Sequence, residues 1–386
     1  MSVKQFDYSY PMSNAMKTLI TSYCIVLLCV ACNPQDTTTT IVKDNSGNKV
    51  FVAHYQEIKD TVVINLSDLV EDYELIRFED NDSALLGFRV MPTITEHYIG
   101  ISQMQDGQLP YLLFDRQGNF LCNVGNAGQG PGEYAWSIYD AAISEQKGEV
   151  YLAQFAFAPK ILVYNLQGKL THEIETDCTL AKPKIETDDE GNLCILQIPM
   201  PSQKSLNLAI QMDGRGNVAR TLKAKERFWM KDFNGELFAY HNVPEFSFHI
   251  TNCDTLFHYD RTGNRVVPKF TLDFGLMDEK PVHIYNEIPG YYITNVFGEG
   301  TIFTDKQKRT SYYARIVNDY CGHMENPVLF KDGYAYWMHE PARWIHYIEK
   351  RLGRSDCSDA DRKQLTELLE SIDEEGNNLM FIGKLK

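Results

Sequence analysis

Apolar residues in this chain gather in short runs rather than in long stripes. The runs are "YIGIS" from Tyr98, "VYLAQ" from Val150, "LCILQ" from Leu193, "ELFAY" from Glu236, "YYITN" from Tyr291 and "YAYWM" from Tyr334. Each has the length and the β-branched or aromatic character of a buried strand. Polar turns fall between them: "FDRQGN" at 114–119, "YNLQGK" at 164–169, "MDGRGN" at 212–217 and "YDRTGN" at 259–264. In "VNDYCGH", Asp319 and Gly322 stand at the same offset. An Asp or Asn followed three residues later by Gly predicts a hairpin turn. The first side chain accepts backbone N–H bonds and the glycine takes the left-handed conformation.

Gly118, Gly168, Gly216, Gly263 and Gly322 recur roughly every 50 residues, a period that predicts propeller blades rather than helical repeats. Six strand-opening runs predict six blades. "TVVINL" and "YELIRFE" near the start, and "NLMFIGKL" near the end, predict a last blade that takes strands from both ends of the chain, so that no sheet edge stays open. The fold class is therefore all-β: a six-bladed propeller with a short helical insertion, about 341–375, in the last blade. Within that insertion Ser358 has the character of a helix cap, and Leu365, Leu368, Leu369 and Ile372 share one helical face. It is expected to sit where the sixth blade's turn would be and to pack on the propeller.

The N-terminus has a different pattern. From Met16 to Cys32 one lysine precedes an apolar run too short to cross a bilayer, which predicts a signal peptide over 1–31, with 1–15 upstream of the natural start. "LLCVAC" resembles a bacterial lipobox and makes Cys32 the candidate lipidation site. Residues 32–50 are expected to carry the lipid and a flexible tether, and 51–386 the propeller. The expected location is the bacterial cell envelope, as an outer-membrane lipoprotein facing periplasm or cell surface.

Composition narrows the partners. The 386 residues carry a formal net charge of −15, which argues against nucleic acid. Beyond the signal, Cys122, Cys178, Cys194, Cys253, Cys321 and Cys357 have no zinc-ligand spacing, and a monomer without metal or cofactor is expected.

"LLFDRQGNFLCNVGNAGQGPGEY", followed by "GEVYLAQFAFAPKILVYNLQGKL", resembles the six-bladed, NHL-like β-propeller lipoproteins of bacteria. "CDTLFHYDRTGN", "FTLDFG" and "NNLMFIGKLK" resemble that family's later blades. The resemblance implies fold and envelope location and assigns no activity.

The glycine-rich "VGNAGQGPGEYAW", from Val124, invites comparison with a phosphate loop. It lacks the Lys and Ser/Thr of such a loop, and Glu133 would repel phosphate. A crossover between blades is the expected role, with Gln129, Glu133 and Tyr134 as candidates to face the central channel. Trp136, Trp229, Trp337 and Trp344 are candidate stacking platforms for a glycan. "TDDEGN", from Thr187, lacks the repeated acidic spacing of a calcium loop and is expected to be a solvated turn. No nucleophile elbow or HExxH motif occurs. The expected function is non-enzymatic binding of a glycan, peptide or partner protein. A lactonase- or lyase-like propeller enzyme with a channel metal is the alternative, and it requires polar side chains from several blades to converge near the axis.

Overall fold

A computed structural model describes residues 38–386 except 88, 104–108, 131, 136, 202–205 and 278. The signal segment, Cys32 and Trp136 lie outside the described residues.

Six blades follow one another, each beginning with its innermost strand. Blade one runs Val90–Ile94, Tyr98–Gln103, Tyr111–Asp115 and Phe120–Val124, each strand antiparallel to the next. Blades two (138–181), three (184–223), four (237–273) and five (283–317) repeat this order. Blade six is assembled from both ends of the chain. Leu329–Lys331 pairs with Tyr334–His339, which pairs in turn with Leu379–Lys384, and Glu74–Arg77 closes the outer edge. Ring closure from the two ends is thus as expected, with one difference. The strand Thr61–Asn65, from "TVVINL", does not join blade six. It lies parallel on the outer edge of blade five.

The stretch expected as a tether is partly sheet. Thr39–Lys43 and Lys49–His54 form a hairpin whose second strand runs parallel to Arg265–Asp273, extending blade four to six strands. Residues 39–77 therefore cover the outer edges of blades four, five and six in turn.

The recurring turns join the third and fourth strands of blades one to four. In blade one, Asp115 Oδ1 accepts from the backbone N–H groups of Gln117 and Asn119, both at 2.9 Å. Asp213 and Asn165 make the same pair of bonds. Glycine is needed here for two reasons. Gly118 has φ +89, and a Cβ on it would stand 2.3 Å from the carbonyl oxygen of Arg77, on the outer strand of blade six. Gly168 is placed likewise, 2.0 Å from the Asn123 carbonyl oxygen on blade one. Each turn docks on the edge of the preceding blade, so the repeat marks blade-to-blade contact as well as chain reversal.

Two assignments change. Asp319–Gly322 is not a blade turn. It lies between blades five and six, and Gly322, at φ +56, packs against Leu365. The true turn of blade five, 305–310, has no glycine, and Arg309 takes φ +60 there. The apolar runs are second strands rather than first, except Leu237–Ala239, which is innermost. Second strands are buried on both faces and so read as continuous apolar segments.

The helical insertion comprises α1 (Pro341–Leu352) and α2 (Asp359–Glu370). Pro341 occupies the first helical position of α1, where its missing N–H costs nothing. Ser358 Oγ accepts from the Asp361 N–H at 3.1 Å and starts α2. The insertion joins the second and third strands of blade six, not the third and fourth. The Asp-x-x-Gly marker is absent from that blade because its third and fourth strands come from opposite ends of the chain. Trp344, Ile348 and Leu365 are fully buried against Trp337 and Phe381, which seals the core between blades five and six.

Candidate functional site

The innermost strands all start at one end of the channel. At that mouth lies a cavity of about 670 Å³, lined by one or more residues from every blade: Met91, Tyr139, Lys184, Phe238, Asn286 and Phe330 in order. It continues between blades five and six over Ile293, Phe297, Ala314, Ile316, Val328 and Leu329. Phe297 and Leu329 are 58% and 53% exposed at its rim. A volume of this order suits a drug-sized molecule or a few residues of peptide.

The charges at the mouth are paired mostly with each other. Asp140 accepts from the Ile185 N–H at 2.8 Å with one oxygen, and its other stands 3.7 Å from Lys184 Nζ. Lys184 Nζ also sits 4.5 Å above the Tyr139 ring. Lys182 Nζ donates to the carbonyls of Phe233 (2.7 Å) and Gly235 (3.0 Å) and pairs with Glu236 Oε1. The other Glu236 oxygen accepts from the Tyr139 hydroxyl. Burial, reinforced by that carboxylate, pushes the Tyr139 phenol well above the ordinary range. Asp332 accepts from Lys331 Nζ at 2.8 Å and from the Ile94 N–H at 2.9 Å, which ties blade six to blade one.

Deeper in the ring, Asn242 and Asn286 both donate to the carbonyl of Phe330. His241, half-buried at φ +54, meets Glu186 through Nδ1 at 2.5 Å. Burial lowers its pKa, against the opposing pull of Asp140 and Asp332. Polar groups from several blades do converge, then, but the carboxylates near the mouth are each engaged by a lysine, a phenol or a backbone N–H. Among the described residues no three His, Cys, Asp or Glu side chains gather as metal ligands.

Those residues singled out from sequence that the structure describes lie elsewhere. The described residues between 125 and 137 cross from the outer strand of blade one to the inner strand of blade two, as expected of a crossover. They pack against Tyr164 and Leu170 of blade two, not on the channel. Gln129 is exposed. Glu133 folds back on its own loop and accepts from the Gly130 N–H at 2.7 Å, filling the space beside Gly128. Tyr134 is fully buried, its hydroxyl accepting from the Tyr111 N–H at 2.7 Å. Trp337 and Trp344 are core residues with ring centroids 4.3 Å apart, and Trp344 Nε1 donates to the Leu379 carbonyl. Neither offers a face to a ligand. Trp229, half-buried, belongs to the connection between blades three and four. "TDDEGN" is the turn between the first two strands of blade three, with Asp188 bonded as Asp115 is.

The mouth residues Tyr139, Lys184, Phe238, Asn286 and Phe330 escaped sequence reasoning. The available signal was positional: Tyr139, Lys184, Asn286 and Phe330 lie in the mixed-polarity strand just before an apolar second strand, and Phe238 lies within the run "ELFAY" itself.

The fold has solved relatives. A protein from Bacteroides fragilis thought to be exported superimposes with a TM-score of 0.57 at 14% identity, covering 84% of this chain and 99% of its own. A member of the DUF4221 family from Bacteroides vulgatus gives 0.48 at 13% identity, with 82% and 98% covered. No curated protein matches the chain. The sequence pattern of the domain of unknown function DUF4934 matches residues 50–299, so the chain belongs to the DUF4934 family.

Proposed function

We propose that the protein is an NHL-like, lipid-anchored propeller of the bacterial envelope that binds, without catalysis, an apolar segment of a peptide or partner protein at the channel mouth. The observation that carries this reading is the cavity ringed by all six inner strands and opening over the exposed Phe297 and Leu329. A peptide is favoured over a glycan because the buried Trp337 and Trp344 are unavailable for stacking, while the lining between blades five and six is aliphatic. A binding role is favoured over hydrolysis because Asp140, Glu236 and Asp332 are committed to structural partners, which leaves none of them free as a general base. The envelope assignment rests on the leader, on Cys32 and on the exported character ascribed to the Bacteroides fragilis relative.

The test is fluorescence anisotropy with a fluorescein-labelled pool of apolar hexapeptides. Replacing Phe297 and Leu329 together by serine removes mainly exposed apolar surface at little packing cost, so binding is expected to weaken on the order of tenfold with Tm little changed. Undiminished binding by the double variant would sink the reading.

A further inference from the structure

We infer that the segment held at the channel mouth ends in a free carboxylate, the C-terminus of a polypeptide, and that Lys184 is its anchor. This rests on the binding role proposed above and adds the chemistry of the occupant.

The argument starts from unequal satisfaction of the cations. Lys182, buried beside the cavity, has two carbonyls and a carboxylate around its ammonium, and Lys331 donates to Asp332 at 2.8 Å. Lys184 lines the cavity with its side chain 9% exposed, yet its nearest carboxylate oxygen, on Asp140, is 3.7 Å away, beyond hydrogen-bond distance. The Tyr139 ring beneath it is a π face and offers no lone pair for an N–H. A buried ammonium with unfilled donors facing a cavity is a costly arrangement that an entering anion relieves.

The surroundings fix what kind of anion. Asp140 partly neutralises the site and Glu236 is spent on Lys182 and Tyr139, so a single negative charge is accommodated and a polyanion is not. Between blades five and six the wall is mostly apolar, with Ile293, Phe297, Ile316 and Val328 beside the polar Asn295 and Thr301, as the side chains of a peptide tail require. A second feature separates a peptide from a simple fatty acid. Asn326, 4% exposed, also lines the cavity, and its Oδ1 has no hydrogen-bond partner. That oxygen needs a donor, which a backbone N–H of a peptide supplies and an acyl chain does not.

The experiment uses the intact protein and two fluorescein-labelled hexapeptide pools ending in leucine, valine or phenylalanine, one as the free acid and one as the C-terminal amide. The acid pool is expected to bind on the order of tenfold tighter than the amide, the scale of one charge-assisted hydrogen bond. Lys184→Met is expected to abolish that difference. Asn326→Ala is expected to weaken both pools alike. The comparison of acid with amide on the unaltered protein holds even if Lys184→Met fails to fold. Equal binding of the two pools overturns the carboxylate anchor and leaves the groove reading standing, whereas binding of neither pool removes the groove reading with it. Dodecanoate binding more tightly than the acid pool overturns the peptide as its source.

Discussion

Glu287 gives the sharpest test of how the blades are held together. It is 5% exposed on the inner strand of blade five. Its Oε2 accepts from Ser247 Oγ at 2.9 Å and meets His258 Nε2 at 2.5 Å, both on blade four, and its Oε1 accepts from Lys306 Nζ at 2.8 Å. Burial alone would raise its pKa. The His258 and Lys306 contacts outweigh burial and bring it down to about 2. A lowered carboxylate pKa stabilises the folded state above the unfolded value, near 4.3, and that contribution drains away as pH falls toward about 2, at about 1.4 kcal/mol per pH unit. The whole is worth about 3 kcal/mol, which also matches the cost of breaking one partner out of a buried ion pair.

Glu287→Gln keeps the shape and removes the charge. Urea unfolding followed by tryptophan fluorescence is expected to show the variant about 3 kcal/mol less stable at about pH 7. By about pH 3 the gap should narrow to about 1 kcal/mol, because the unaltered protein loses the same contribution. Other carboxylates titrate in both proteins and cancel. A gap that is unchanged between the two pH values, or below about 1 kcal/mol at neutrality, refutes the assignment of the charge as an inter-blade clamp.

Two further outcomes are expected. Gly128→Ala places a Cβ 2.0 Å from Glu133 Oε2 and expels that carboxylate from the Gly130 N–H, at a cost of about 1 kcal/mol because the site is partly solvated. In a Glu133→Ala background the same substitution should cost almost nothing, and additive losses in the double-mutant cycle would refute the account. Replacing Cys32 by serine should shift the protein from the membrane fraction to the soluble fraction, and retention on membranes would remove the lipid tether.

The propeller was legible because its period is written in turns, and turns are local. Asp115 and Gly118 declare their geometry within four residues. The same locality produced the error at Asp319 and Gly322, where a turn with the right spacing serves the helical insertion, while blade five reverses through Arg309 with no glycine to reveal it. Ring closure was legible from alternation at the two ends, but not the choice of Glu74–Arg77 over Thr61–Asn65, since both runs fit an outer edge. The mouth was illegible for a geometric reason. Its walls come from strands as short as Leu329–Lys331, brought together from positions 91 to 336 by the ring alone. The tryptophans misled because a large ring reads alike in sequence whether it faces a ligand or, as Trp337 and Trp344 do, another ring.

The order of the edge strands has a consequence in time. Residues 39–77 leave the ribosome first, yet the sheets they complete are blade four, ending at Asp273, blade five, ending at Val317, and blade six, whose third strand ends at Lys384. The hairpin of Thr39–Lys43 and Lys49–His54 and the two single strands after it must therefore wait for their blades while some 200 to 300 later residues are made, and their docking closes the longest loops in the chain. Folding of this propeller ends in a delayed clasp: blades one to five each have four strands of their own, whereas blade six is completed only when its third strand, ending at Lys384, meets Glu74–Arg77. Slow, late-finishing maturation, and exposure to wrong pairing until then, are built into the connectivity itself.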